Sequence, residues 1–226
     1  MVAGKSLSIV CYDTLRYKRS EYAIKQTLEC IDADLVYWFS DKVFEADVGV
    51  PVVTHLIPPI DVETFAERIG VLCFDTIPSA VDTDFALYVQ SDGFALNKKA
   101  WTDEFLEYDY IGAPWPFHLD DLGSVGNGGF SLRSRKLHDA LVDMRAPVAM
   151  LNSAFEDTLI CRTFRRALEE NYGIKFAPVD LATRFSVEVP DYNYATYEWI
   201  GKSFGFHGKY VCHCYGYSID ELKEEG

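Results

Sequence analysis

The sequence predicts an α/β fold with a mixed, mainly parallel central sheet flanked by helices. Two observations carry that expectation. Short, wholly apolar runs alternate with segments of helical period near the start of the chain, as buried parallel strands and their crossover helices do. A later apolar run then empties at Gln90-Ser91-Asp92-Gly93, an acidic exit of the kind that open sheets use to present ligand-binding groups.

The elements follow in order. Ser6 to Asp13 reads as a first strand, apolar and ended by polar residues. Ser20 opens a helix with Ile24, Leu28 and Ile31 on one face, and Asp34 to Asp41 forms the second strand. A third apolar stretch, Val52 to Ile57, stops at Pro58-Pro59. Phe65, Ile69, Leu72 and Cys73 keep helical spacing, so a helix is expected from Asp61 to about Phe74, followed by a strand from Asp84 to Gln90. Trp101 to Phe117 is rich in turn residues, and two helices are expected at Arg135–Met144 and from Phe155 to about Tyr172. The remainder reads as irregular and aromatic. With no repeat or linker, one domain over 1–226 is expected, a strand-helix-strand half at 1–90 and a loop-rich, ligand-shaping half at 91–226.

Hydrophobic residues make up 49% of the 226, which excludes a mainly disordered chain. Aromatics at 15% are enough to leave ring faces for a ligand as well as a core. The net charge of −14 argues against binding nucleic acid or anionic lipid through a broad surface. Two short basic clusters, Arg133 to Lys136 and Arg162 to Arg166, read as helix surface or phosphate contacts. The amino-terminal residues show no signal-peptide pattern, and no segment reaches the roughly 18 apolar residues that span a bilayer. Six scattered cysteines suggest a reduced chain, hence a cytoplasmic one. Cys212-His213-Cys214 lacks the second cysteine pair that a zinc site would require.

Four stretches could carry chemistry, and each has a plain alternative. Asp92 at a strand exit can present both oxygens to a cation, or simply make an Asp-Gly turn. Gly126-Asn127-Gly128-Gly129 lets backbone enter a pocket and offer N–H groups to a sugar or phosphate, or forms a hairpin turn. Ser153 and Glu156 have capping-box spacing, while Glu156 or Asp157 would also serve as a general base. His207 lies in a glycine-flanked loop with Lys209 close behind, and imidazole with carboxylate suits Mn²⁺.

In that order the four stretches resemble the layout of nucleotide-sugar glycosyltransferases of the GT-A fold. The chain also closely resembles a family of uncharacterised glycosyltransferase-like domains of bacteria and viruses. The shared strings are QSDGFALN, YDYIGAPW, GNGGFSLRS, EDT and FGFHG, from about Leu87 to Gly208. The resemblance implies a GT-A-like (Rossmann-like) domain that moves a sugar from a nucleoside-diphosphate sugar, UDP-linked above all, to a hydroxyl of a glycan or a modified nucleobase. By that likeness Asp92 and His207 hold Mn²⁺ or Mg²⁺. Tyr12, Thr14, Gln90, Ser91, Asp92, Gly128, Gly129 and Lys209 bind the donor, with nucleotide recognition near Val10 to Thr14 and Phe39 to Asp41. Asp157 or Glu156 takes the acceptor proton. Trp115, Phe117 and Tyr194, with Tyr192 and Trp199, offer rings to an acceptor sugar. One departure stands out: the usual Asp-x-Asp is here Gln90-Ser91-Asp92, so one acid is absent. A DNA-modifying transferase acting on a hydroxylated base of viral DNA and a non-catalytic nucleotide-sugar binder are the rival readings.

Overall fold

A computed structural model describes residues 2–60, 65–115, 125–188, 199–208 and 211. Its strands are β1 (Leu7–Tyr12), β2 (Leu35–Ser40), β3 (Val52–Leu56), β4 (Phe85–Tyr88), β5 (Gly93–Ala95), β6 (Tyr110–Gly112), β7 (Ser131–Ser134), β8 (Ser186–Val187) and β9 (Gly205–His207). Six form the central sheet in the order β3-β2-β1-β4-β7-β6, and β5-β9-β8 form a second, small sheet. The first four strands of that order run parallel, β7 is antiparallel to both β4 and β6, and every residue of β1 and β4 is buried. Strands covered on both faces need no polar alternation, which is why they were legible as apolar runs.

This topology positions the site. The chain leaves β1 for β2 on one side and returns to β4 on the other, so the switch point where open sheets leave a ligand crevice falls between the carboxyl ends of β1 and β4. Because β7 runs backwards, its first residue, Ser131, pairs with Tyr88 at the end of β4. The glycine loop before β7 therefore arrives at the same edge. In the small sheet Gly93 of β5 pairs with His207 of β9, and Val187 of β8 pairs with Phe206.

The first helix, α1 (Tyr17–Cys30), starts a turn before Ser20. Asp13 Oδ1 accepts the N–H groups of Leu15 and Arg16, and its Oδ2 accepts the Ser20 hydroxyl, so the carboxylate at the end of β1 steadies the entry. Its buried face is Ser20, Ala23, Ile24, Thr27 and Cys30, while Ile31 is already extended. The second helical stretch runs past Phe74: α2 (Phe65–Val71) passes through a π turn (Leu72–Thr76) into α3 (Ile77–Ala80). Pro78 follows directly on the π turn, inside a continuous helical stretch in which Thr76 and Ile77 are both helical. Helix α4 (Arg135–Met144) is capped by the Ser134 hydroxyl, which accepts the Leu137 N–H, and α5 (Val148–Leu151) follows. The helical stretch from Phe155 onward comprises α6 (Glu156–Thr158), a π turn (Leu159–Thr163) and α7 (Arg165–Tyr172). Regular pieces also lie in stretches read as irregular or turn-rich: β6, α8 (Val179–Phe185) and the short strands β8 and β9.

The aromatic surplus is largely core. Phe94, Phe105, Phe130, Phe185, Phe204 and Phe206 are fully buried, with Phe130 stacked 5.1 Å from Phe185 and Phe94 edge-on to Phe206 at 4.7 Å. Each such ring contributes about 1.5–3 kcal/mol by leaving water, and together they lock the small sheet onto the large one. Cys11, Cys30, Cys73 and Cys161 are free and buried. Among the described residues no helix is long and apolar enough to cross a membrane.

Candidate active site

Beyond β4 the chain turns tightly, Gln90 and Gly93 exchanging backbone hydrogen bonds of 2.9 and 3.0 Å. The Gln90 amide donates to the Tyr12 hydroxyl at 2.5 Å, bridging the crevice between β4 and β1. His207 comes in from β9. Its Nε2 lies 3.2 Å from Gln90 Oε1 and 3.7 Å from Asp92 Oδ1, and the Gly208 N–H donates to the Asp92 carbonyl at 2.8 Å. On the other side of the ring, Nδ1 is 3.3 Å from Glu188 Oε1. A carboxylate can only accept, so Nδ1 carries a proton and Nε2 is the nitrogen turned to the crevice. Burial works against charging this imidazole, but the Glu188 hydrogen bond and the charges of Asp92, Glu188 and Asp157 outweigh it and raise its pKa above the ordinary value.

The glycine loop closes against this ring. A Cβ on Gly129 would lie 2.1 Å from His207 Nε2, and one on Gly128 would lie 2.2 Å from Glu156 Oε1. Only residues without side chains allow both approaches. The loop's N–H groups are already engaged: Gly128 donates to Asp157 Oδ2 at 3.2 Å and Gly129 to Asn127 Oδ1 at 3.1 Å.

The two acids at the start of α6 have separated duties. Ser153 donates its hydroxyl to the Met150 carbonyl, and the helix is entered from Phe155 with no side-chain cap, so the capping-box expectation fails. Glu156 is instead buried against Arg133, its Oε1 3.3 Å from Nη2. Asp157 faces the glycine loop and also accepts the Thr158 N–H on Oδ1 at 2.6 Å. Burial and then the Glu156 charge push its pKa up to about 7, against the lowering effect of the Thr158 and Gly128 hydrogen bonds. A carboxyl that titrates near neutrality can both take and release a proton under ordinary conditions.

The remaining candidates are more scattered. Ser91 is buried in the turn, and Thr14 trades hydrogen bonds with the Ile60 backbone through its hydroxyl. Asp41 accepts the Tyr17 hydroxyl at 2.6 Å. Trp115 lies in the core with its ring against Gly126, and Trp199 packs on the core. Lys209, Phe117, Tyr192, Tyr194 and the Cys212-His213-Cys214 stretch lie outside the described residues. Sequence reading missed Glu188, which has no motif around it, and misplaced Arg133. Taken as part of a surface cluster, Arg133 is fully buried in the middle of β7. The alternation of Ser131, Leu132, Arg133 and Ser134 puts Leu132 and Arg133 on opposite faces, but both faces of this strand are covered.

Whether the crevice suits a divalent cation turns on its donor atoms. Asp92 Oδ1, His207 Nε2 and Gln90 Oε1 converge within 3.7 Å of the imidazole nitrogen, and Glu188 fixes that nitrogen's orientation as carboxylates do behind metal-bound histidines. Among the described residues no three His, Cys, Asp or Glu side chains are set to hold an ion between them. Asp92 Oδ1, His207 Nε2 and the Gln90 amide oxygen are the donors that would meet a cation here.

A mixed sheet of this order, with its loops converging at the carboxyl edge, has the GT-A-like fold of glycosyltransferases. Residues 78–207, more than half the chain, match the family described as "Protein of unknown function (DUF5672)", and the chain belongs to that family. Among solved structures it is similar to a glycosyltransferase involved in the glycosylation of the major capsid of PBCV-1. That likeness has a TM-score of 0.55 and 11% identity and covers 96% of both chains. It is also similar to the apo form of the glycosyltransferase GlyE of Streptococcus pneumoniae TIGR4, with a TM-score of 0.52 and 14% identity, over 89% of this chain and 54% of that one. At these identities the likeness establishes the fold. No curated protein gives a significant match.

Proposed function

We propose that the protein is a glycosyltransferase that moves a sugar from a nucleoside-diphosphate sugar, UDP-linked above all, to a hydroxyl acceptor. The observation that carries this reading is the meeting of Asp92, His207 and the Gly128-Gly129 loop beside Asp157, all at the carboxyl edge of the sheet. Asp92 and His207 would hold Mn²⁺ or Mg²⁺, with Glu188 orienting the imidazole. Such an ion supplies neutralisation of the charge on the leaving diphosphate. Tyr12, Thr14, Gln90, Ser91 and the two glycines shape the donor side, and Lys209 adds a phosphate contact. Asp157 takes the proton of the acceptor hydroxyl as that oxygen bonds to the anomeric carbon and the bond from the carbon to the diphosphate oxygen breaks, the electron pair leaving with the diphosphate. Glu156, tied to Arg133, is less suited to that task. Phe117 and Tyr194 are assigned to the acceptor side; the Trp115 ring, expected there too, is buried against Gly126 and has no free face for a sugar. The whole of 1–226 acts as one catalytic unit, 1–90 for the nucleotide and 91–226 for the metal, sugar and acceptor. Four free, buried cysteines accord with work in a reducing cytoplasm.

The test is a panel of nucleotide sugars with Mn²⁺ and simple glycan acceptors, reading released nucleoside diphosphate. Release that needs the metal and disappears in both Asp92→Ala and His207→Ala is the expected result. Release unchanged in both variants overturns the metal assignment, and no release from any donor overturns the transferase.

A further inference from the structure

Beneath the acidic pair lies a charge that sugar transfer as described does not use. Arg133 pairs with Ala86 of β4 and Tyr110 of β6, and none of its surface meets solvent. Its guanidinium stands 3.8 Å from the Tyr88 ring centre and 5.5 Å from that of Tyr110. Nε donates to Ser131 Oγ at 3.1 Å, while Nη2 reaches Glu156 Oε1 at 3.3 Å and the Gly128 carbonyl at 3.5 Å. Nη1 is buried with no partner among the described residues. Burying such a pair is commonly no better for stability than apolar packing, so stability is a weak account of it.

We propose that Arg133 is a positioning residue: it holds Glu156 as a buried counter-ion and fixes the Gly128 carbonyl, leaving Asp157 as the one acid of the pair free to exchange a proton. This rests on the reading of Asp157 as the acceptor's base. Gly128 links the parts, since its carbonyl accepts from Arg133 while its N–H donates to Asp157. A Cβ there would meet Glu156, Arg133 and Asp157 at 2.2, 3.1 and 3.1 Å. The backbone from which Asp157 projects is thus set by what Arg133 grips.

The groups acting on or with Asp157 come from every side. They are Glu156 on its own turn, Cys161 and Cys73 on the two π turns, Tyr110 on β6, Glu188 after β8 and His207 on β9. Burial raises the pKa of Tyr110 and of both thiols and keeps them neutral. The carboxylates that remain are Glu156, paired with Arg133, and Glu188, beside His207. Of these, Glu156 raises the Asp157 carboxyl most.

Titration of the Asp157 carboxyl by carbon-13 NMR, without donor or metal, reads this arrangement independently of turnover, with Asp157→Asn assigning the resonance. Glu156→Gln removes a neighbouring negative charge and is expected to lower the Asp157 midpoint by about one pH unit. The acid limb of the kcat profile should move with it while the donor KM holds. Its kcat should fall less than about tenfold, against a loss of about 10²–10⁴ for Asp157→Asn. Arg133→Lys keeps the charge without the fork, so kcat falls while the midpoint stays near that of the wild type. Arg133→Met/Glu156→Gln, which leaves no unpaired buried charge, should titrate like Glu156→Gln. An Asp157 midpoint unmoved by Glu156→Gln, or Glu156→Gln as inactive as Asp157→Asn, overturns the proposal. A wild-type protein that transfers no sugar would sink the transferase reading instead, and the titration would still decide what Arg133 and Glu156 do.

Discussion

Replacing Gly129 by alanine tests how closely the glycine loop and His207 depend on each other. The added Cβ would sit 2.1 Å from Nε2, 2.2 Å from Cδ2 and 2.6 Å from Cε1 of the ring. Non-bonded carbons rest about 3.5–4.0 Å apart, so the ring or the loop must yield by about 1.5 Å. Neither has slack. The ring's strand is paired to β5 at Gly93, its Nδ1 is held by Glu188, and a Cβ on Gly93 would already stand 2.7 Å from Cδ2. The loop is tied by the Gly129 N–H to Asn127 and by Phe130, which is stacked on Phe185. Overpacking of this kind costs about 1–3 kcal/mol, which lowers Tm by about 2–10 °C in a chain of this size. Displacing Nε2 from Asp92 and Gln90 by more than an ångström should cost about 10²-fold in rate. Electron paramagnetic resonance of added Mn²⁺, nucleotide release and thermal melting measure the three effects. Gly129→Ala with wild-type metal affinity, rate and Tm would show that the loop does not pack on His207, and the convergence on which the site rests would go with it.

Two further perturbations separate metal from proton chemistry. Glu188→Gln should weaken Mn²⁺ binding by about 10–100-fold, because the imidazole loses the carboxylate that orients it; unchanged affinity removes Glu188 from the site. Asp157→Asn should raise stability at pH 8 but not at pH 4. The folded-state pKa of Asp157 is about 7, above the value of about 3.9 in an unfolded chain, so the folded state binds the extra proton between them. Its carboxylate therefore destabilises the fold increasingly as pH rises through that window, by about 2–4 kcal/mol once above it. Equal gains at pH 4 and pH 8 in denaturant titrations would contradict that assignment.

Much of the fold was legible because β1, β2 and β4 are buried on both faces and announce themselves as mainly apolar runs. The weaker elements were not. β6 is three residues long and sits among turn formers, and it exists because β7 supplies its hydrogen bonds. The start of α1 was displaced because Asp13, just after the first strand, holds the N–H groups of Leu15 and Arg16 in the turn that leads into the helix, a contact ahead of Ser20 that no local pattern marks. Ser153 and Glu156 have the spacing of a cap, yet a buried guanidinium outbids a helix terminus for the glutamate.

The sequence by itself determined the strand-helix-strand beginning and the acidic exit at Asp92. It also marked the glycine loop and the late histidine as places where side chains give way to chemistry. Local patterns are enough for these, since each is written in neighbouring residues. The tertiary structure alone decided that Glu188 stands behind His207, that Arg133 is interior, and that Glu156 pairs with Arg133 while Asp157 turns to the glycine loop. Proton affinity and ion pairing depend on what lies across space, and the strands that bring those groups together are far apart in the chain.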